Sequence, residues 1–388
     1  MEVLEQYKGR EQALIKHKLL ETYLERLFMI IGLTQDTIWY VDCFAGPWKE
    51  SSEDLSDTSI GISLNIMNKC REGLKEIGRD VKFKALYVEK TRKSFKKLAQ
   101  FLNSGIYPSI EATPEHGEFH LCREKILSWC GLNDFTFFFI DPKGWKDAIE
   151  IPTLRPLLKR RNSEFLINFM YDFLSRFHKH EDYQEDMKSI FGEVPDTKGM
   201  SAEKKEKYFL SLYKGFLKKT QPDNSKKARS AYFCVPDPCK DRTKYHLVYL
   251  TRHAKGIKVF MEASEKLVPE QRKVRAQAKQ NKREGRTGQI EMFSSETTID
   301  DKEIEFKTQL EILKVKDYWL KKLTSTPKRF DIIDLADMLE ETDWLISYFQ
   351  QAFKELEEEG KVKNLNKTRK RPVNVVNFEK GEKLMKII

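Results

Sequence analysis

The sequence predicts a doubly wound, Rossmann-like α/β sheet followed by a winged helix-turn-helix, and three observations carry that expectation. Apolar runs of strand length alternate with helical periodicities through the first half of the chain, the pattern of βαβ units. Three of those runs end in an acidic residue: Asp42, Glu89 and Asp141. Residues 304–388 carry three helical patterns and then a two-stranded signal around a basic turn.

Residues 11–32 read as a helix, because Leu14, Leu19, Leu20, Tyr23, Leu24, Leu27 and Ile31 recur at helical spacing. The period then changes. Ile38 to Phe44 is a nearly continuous apolar run closed by Ala45-Gly46-Pro47, as expected of a strand buried on both faces of a parallel sheet. Phe83 to Val88 is a second strand, ending at Glu89 and followed by an amphipathic stretch over 91–103. Ser109 to Thr113 is a weaker third, Phe135 to Ile140 a strong fourth ending at Asp141-Pro142, and Glu164 to Phe169 a fifth. Residues 181–230 are polar and Lys-rich, a helical insertion with Tyr208, Leu212, Phe216 and Leu217 on one face. Ser230 to Val235 and Tyr245 to Thr251 form a hairpin pair, and a helix follows over 256–267. The first domain is therefore placed at 1–268. Between 265 and 290 stand eight Lys/Arg against three Glu with almost no large apolar residue, so 269–303 reads as a basic linker or a long exposed helix end.

In residues 304–388 the helices are expected around Leu310 to Leu320, Phe330 to Leu339 and Trp344 to Glu359. Val362–Leu365 and Val373–Phe378 would be the strands of the wing. The turn between them holds Lys367, Arg369, Lys370 and Arg371. Positive charge there, and Glu355, Glu357, Glu358 and Glu359 at the end of the third helix, point to the wing as the nucleic-acid contact.

Composition narrows the class. The chain has 388 residues, 40% of them hydrophobic, with 70 Lys+Arg against 60 Asp+Glu for a net charge of +10. That surplus favours a polyanionic partner only where it clusters. No apolar window is long enough to span a membrane, and the charged N-terminus has no apolar segment of a secretory signal. Six cysteines without a C-x-x-C pair read as reduced core thiols of a cytoplasmic protein. Cys234 and Cys239 are one residue too far apart for a common zinc knuckle, and His116 and His120, though spaced i, i+4, lack the Glu of an H-E-x-x-H pattern, so no metal site is expected.

Carboxylates at the C-terminal ends of parallel strands sit where open α/β sheets bind ligands. Asp42 and Gly46 follow the first strand, Glu89 can accept two hydrogen bonds from ribose hydroxyls, and Asp141-Pro142 closes the fourth strand. A nucleoside-containing cofactor fits this arrangement. The absence of G-x-G-x-x-G in the first turn, and of G-x-x-x-x-G-K-[ST] anywhere, argues against classical NAD domains and P-loop NTPases.

These residues resemble those of a class I methyltransferase, and more narrowly the bacterial three-Cys-motif partner protein family. The likeness runs through Lys16–Leu24, Val41-Asp42-Cys43-Phe44-Ala45-Gly46-Pro47, Ser59–Ser63, Tyr87-Val88-Glu89 and His116-Gly117-Glu118-Phe119. It continues with Phe139-Ile140-Asp141-Pro142-Lys143-Gly144, Leu166–Phe169, Tyr245–His253, and the winged-helix end at Leu339–Thr342 and Ala352–Gly360. The resemblance implies S-adenosylmethionine as cofactor, with Asp42, Phe44, Ala45 and Gly46 at its methionine part, Glu89 at the ribose and Glu118 at the adenine amino group. It implies an acceptor pocket lined by Asp141, Pro142, Lys143 and Trp145, with Trp145 stacking on a flipped base. It also implies a cysteine-motif partner protein. Trp48 stands where the family carries a second loop glycine, and Lys143 where it carries an apolar residue or proline. The leading expectation is a methyltransferase-like protein acting on or docking to nucleic acid. Its rival is a non-catalytic nucleic-acid- or protein-binding module on a degenerate scaffold, with a role in phage defence a further alternative.

Overall fold

In a computed structural model, the described residues are 7, 10–46, 58–222, 226–287, 296–368, 371 and 373–387, with backbone alone for 296–304. They divide into two units, Met1–His253 and Ala254–Ile388.

The first unit opens with α1 (Glu11–Gly32), whose buried stripe includes Leu14, Ile15, Leu19, Leu20, Tyr23, Leu24, Leu27 and Phe28. Strand β1 (Thr37–Asp42) then leads to α2 (Ser59–Glu76), capped by Thr58, whose hydroxyl accepts from the Gly61 amide. Next come β2 (Lys82–Glu89), α3 (Arg92–Leu102), β3 (Glu111–His116), α4 (Phe119–Cys130) and β4 (Phe135–Ile140). After α5 (Ile151–Leu158), β5 (Ser163–Phe169) and α6 (Tyr171–Phe177), a short helical turn precedes α7 (Gln184–Phe191) and α8 (Ala202–Thr220). The antiparallel pair β6 (Arg229–Pro236) and β7 (Thr243–Thr251) completes the unit.

These strands make one seven-stranded, mostly parallel sheet in the order β3-β2-β1-β4-β5-β7-β6. β1 pairs parallel with β2 on one side and β4 on the other, so Asp42 lies opposite Tyr87 and Phe139. The chain moves outward from β1 to β3 and then returns to β4, which puts the switch in strand order between β1 and β4. Every residue of β4 is buried, as two-faced coverage requires. Phe137, Phe138 and Phe139 together make the centre of the core, and burial of each such ring contributes roughly 1.5–3 kcal/mol. A carboxylate, that of Glu164, lies inside this core. Glu164 of β5 accepts from Tyr23 Oη (3.0 Å), Tyr249 Oη (2.7 Å) and Thr251 Oγ1 (2.7 Å), which satisfies it without a counter-ion.

The second unit opens with a long helix. Helix α9 runs unbroken from Ala254 to Thr287, through Pro269, burying Ile257, Phe260, Leu267, Val274 and Ala278. Residues 269–287 are thus helix. Then follow α10 (Glu296–Lys322), β8 (Lys328–Phe330), α11 (Ile332–Thr342), α12 (Ile346–Glu358), β9 (Val362–Asn364) and β10 (Glu382–Lys386). Trp319 of α10 is fully buried among Phe330, Phe349, Phe353 and Phe378, and its indole N–H donates to the Phe349 carbonyl at 3.0 Å. The small sheet is antiparallel in the order β8-β10-β9. The expected strand over 373–378 is not formed. Residues 382–386 take its place, while Val375, Val376 and Phe378 are buried from irregular backbone.

Candidate functional site

The loop after β1 is fixed by backbone and side-chain bonds alike. The amides of Cys43 and Ala45 donate to Phe139 and Val88, each at 2.9 Å, stitching the loop to both neighbouring strands. Asp42 is fully buried. Its Oδ1 accepts from the Phe44 amide (3.0 Å) and its Oδ2 from Ser59 Oγ (2.7 Å), which ties β1 to the start of α2. Burial pushes its carboxyl up to about 6, against the hydrogen bonds from Ser59 and Phe44.

A cavity of about 680 Å³ lies at the ends of β1, β2 and β4. It brings together Phe44, Gly46, Glu89, Glu118, Asp141, Pro142, Lys143 and Trp145. Glu89 is 4% exposed; its Oε1 accepts from the Thr91 amide at 2.5 Å, and its other oxygen has no partner among the described residues. The Gly117 amide donates to the Glu89 carbonyl at 3.2 Å, so the β2 and β3 ends are joined. Gly117 has φ +157, and a Cβ there would stand 2.6 Å from Cys122 Sγ; the turn needs glycine. Glu118 is exposed at the start of α4, with His120 Nδ1 3.5 Å away.

Asp141 is engaged on both oxygens. Asn168 Nδ2 donates to Oδ1 at 2.7 Å, and Lys16 Nζ pairs with Oδ2. A second cavity of about 360 Å³ is bounded by Lys16, Ala45, Ser59, Asn168 and Tyr245, and shares Phe44, Gly46, Asp141, Pro142 and Lys143 with the first. Burial, helped by the charge of Asp141, raises the Tyr245 hydroxyl well above its ordinary value.

Two expected positions differ from their assigned parts. Asp42 lines neither cavity, because its carboxylate is turned into the protein to cap the loop. Trp145 is only 7% exposed. Its ring packs edge-on or tilted against Phe173, Phe177 and Tyr183, with Nε1 donating to Asp186 Oδ2 at 3.3 Å, so it forms a wall and offers no open face for a base. Ala45 borders the smaller cavity alone. Trp48 lies outside the described residues.

Sequence reasoning missed Lys16 and Asn168. A signal for Lys16 was present: it stands three, four and seven positions before Leu19, Leu20 and Tyr23, on the flank of the buried stripe. Such a lysine needs an acid to meet.

In the second unit, Lys367 pairs with Glu357, and Arg371 Nη1 meets Glu382 Oε1 at 2.7 Å. Arg369 and Lys370 lie outside the described residues. Three of the four acids at the end of α12, Glu355, Glu357 and Glu359, are paired as well. Glu355 and Glu359 clasp Lys316, and Glu359 also meets Lys361 at 2.8 Å. They do not stand as a free repulsive patch. A groove of about 410 Å³ between α12 and β9 is bordered by Lys354, Glu357, Glu358, Lys363, Lys367 and Arg371.

The described helices contain none that is long and apolar enough to cross a membrane. No protein-family model matches the chain, and no curated protein sequence does. Solved structures give distant likenesses. A Legionella pneumophila protein of the DUF519 family is similar at 9% identity over 63% of this chain and 90% of that one, TM-score 0.35. A putative O-methyltransferase from Klebsiella pneumoniae is similar at 12% identity over 65% and 100%, TM-score 0.27. A loganic acid methyltransferase with SAH is similar at 9% identity over 68% and 83%, TM-score 0.27. At these scores the likenesses carry no functional argument, which rests on the cleft itself.

Proposed function

We propose that the cleft at the ends of β1, β2 and β4 binds S-adenosylmethionine and transfers its methyl group, with nucleic acid as the acceptor. The observation that carries the reading is Glu89. A carboxylate 4% exposed, with one oxygen unpartnered among the described residues, borders a cavity of nucleoside-accepting size at the switch in strand order. Ribose hydroxyls would satisfy that oxygen. Glu118 and the Gly117 turn line the same cavity and would be the groups to meet an adenine, with Phe44 and Gly46 also on its wall.

The cofactor, when bound, supplies an electrophilic methyl group on a sulfonium. The chain's own residues have the tasks of positioning and exclusion. Asn168 holds one oxygen of Asp141, which orients the carboxylate between the two cavities. The aromatic wall of Trp145, Phe173, Phe177 and Tyr183 keeps water from one side. An amine acceptor reaching Asp141 must replace the Lys16 ammonium there.

That same pair favours a second reading, a cleft that binds nucleotide without turnover. Calorimetry with S-adenosylmethionine and S-adenosylhomocysteine tests the first; no binding at millimolar concentration removes it. Labelled methyl transfer to nucleic acid by wild type and Lys16→Met then separates the two. Transfer by either form supports the enzyme, and binding with no transfer by both supports the second reading. By the family resemblance the proposal extends to a winged-helix reading of the C-terminal unit and to a cysteine-motif partner protein. Pull-down with such a protein tests the latter.

A further inference from the structure

We propose that Glu206, Cys234 and His246 form a zinc-binding site at the antiparallel edge of the sheet. The donors come from three elements: Glu206 from α8, Cys234 from β6 and His246 from β7. The register of the hairpin sets Cys234 directly opposite His246. Directly opposed residues of an antiparallel pair project to the same face with Cβ atoms about 4.5–5.5 Å apart. Helix α8 packs on both strands and brings Glu206 to that face.

One ligand atom from each residue lies within 4.8 Å of the other two, and His246 Nε2 is 2.9 Å from Glu206 Oε1. Donors around a tetrahedral zinc, with bonds of about 2.0–2.3 Å, stand roughly 3.3–3.8 Å apart. Rotamer adjustments of about an ångström bring the three into that range. The imidazole is held in place: His246 is 1% exposed, with the rings of Tyr171 and Tyr232 at 5.8 and 5.1 Å. Thr243 supplies the outer contact. Its hydroxyl donates to Glu206 Oε1 at 2.7 Å and lies 3.5 Å from Cys234 Sγ, orienting the carboxylate as partners behind metal ligands do. Burial favours a neutral Glu206, but the bonds from His246 and Thr243 outweigh it and hold the carboxyl below its ordinary value.

A thiolate, an imidazole and a carboxylate together suit zinc better than magnesium or calcium, which take oxygen ligands. Three protein ligands leave the fourth position to water. The site would pin α8 to the β6–β7 hairpin. Spacing along the chain hides it, because the ligands are brought together only by strand pairing and the packing of α8.

The full chain, stripped with chelator, should be titrated with cobalt(II) and then competed with zinc(II). One equivalent of cobalt should give a thiolate-to-metal charge-transfer band that zinc abolishes. Cys234→Ser should lose the band, Cys239→Ser should keep it, and Glu206→Gln should weaken cobalt binding at least tenfold, with folding checked by circular dichroism. Absence of the band in the wild-type chain overturns the proposal without recourse to any variant. A band that survives Cys234→Ser, or that disappears in a folded Cys239→Ser, overturns the assignment.

Discussion

Glu89 at the end of β2 keeps one carboxylate oxygen without a partner among the described residues, whereas Asp42 at the end of β1 and Asp141 at the end of β4 have both oxygens engaged. All three are acids closing buried parallel strands. Their difference comes from what the rest of the chain delivers to each: a helix start to Asp42, a lysine from α1 to Asp141, and to Glu89 only the local Thr91 amide. A strand-end acid is thus a cap, an ion-pair partner or a ligand-binding group according to residues remote in sequence.

The comparison can be broken first at Asp42, where the largest effect is expected. Its folded carboxyl titrates near 6 against 3.8 ordinarily, so the folded state holds a proton that the unfolded state releases. The stability from this group is therefore full below about pH 4 and is lost as pH rises through about 6. The difference is worth roughly 3 kcal/mol. Urea denaturation at pH 4.5 and 7 should show Asp42→Asn with a flatter pH dependence than wild type; identical slopes would refute the burial argument. At Glu89 the effect should fall on binding. Glu89→Ala should weaken S-adenosylhomocysteine roughly tenfold to a hundredfold, the value of charge-assisted hydrogen bonds, and Asp141→Ala by only a few fold. The opposite order in calorimetry would reverse the roles assigned to the two strand ends.

Lys16→Met sharpens the contrast from the other side. The side chains of Lys16 and Asp141 are 14% and 18% exposed, so the orphaned carboxylate should cost about 1–3 kcal/mol in urea denaturation. In an Asp141→Asn background the same change should cost little, and a non-interacting double-mutant cycle would mean that the pair contributes nothing. The smallest effect is expected at the basic turn. Arg371 is spent on Glu382, so Arg369→Ala with Lys370→Ala should flatten the salt dependence of nucleic-acid binding by up to about two units, and Arg371→Ala by less. An unchanged slope in the double variant would assign the turn to protein contacts.

Much of the sheet could be read from the chain because its strands are buried on both faces and lack alternation, as Phe135–Ile140 does. The positions of Glu89 and Asp141 followed directly. What could not be read was set by tertiary packing. Val373–Phe378 has the stronger strand composition, yet Val375, Val376 and Phe378 fill the core from irregular backbone, and the Lys-rich β10 pairs with both neighbours instead. The basic, apolar-poor stretch from 269 reads as a linker or an exposed helix end, and the helix continues through Pro269 to Thr287 because Val274 and Ala278 still find cover. Asn168 was invisible as a site residue, and Lys16 showed only as a lysine beside a buried stripe, because the meaning of both depends on Asp141, 125 positions from Lys16 and 27 from Asn168.

Helix α1 gives the folding of this unit a particular timing. Its Lys16 meets Asp141, and its Tyr23 meets Glu164 across a separation of 141 residues. Helix α1 is made before β4 and β5, so Lys16 and Tyr23 have no acceptor carboxylate until those strands follow, although Glu25 of the same helix can already meet Lys69 of α2 (2.8 Å). Contacts this distant slow folding, since the closure entropy of the intervening chain is lost before they form. A nascent chain stalled before residue 164 would hold α1 without its acceptor carboxylate, and one begun after residue 32 would leave Glu164 short of a donor and Asp141 without its cation. Ribosome-stalled lengths probed by pulse proteolysis should accordingly show α1 reaching its full protection only after β5 emerges.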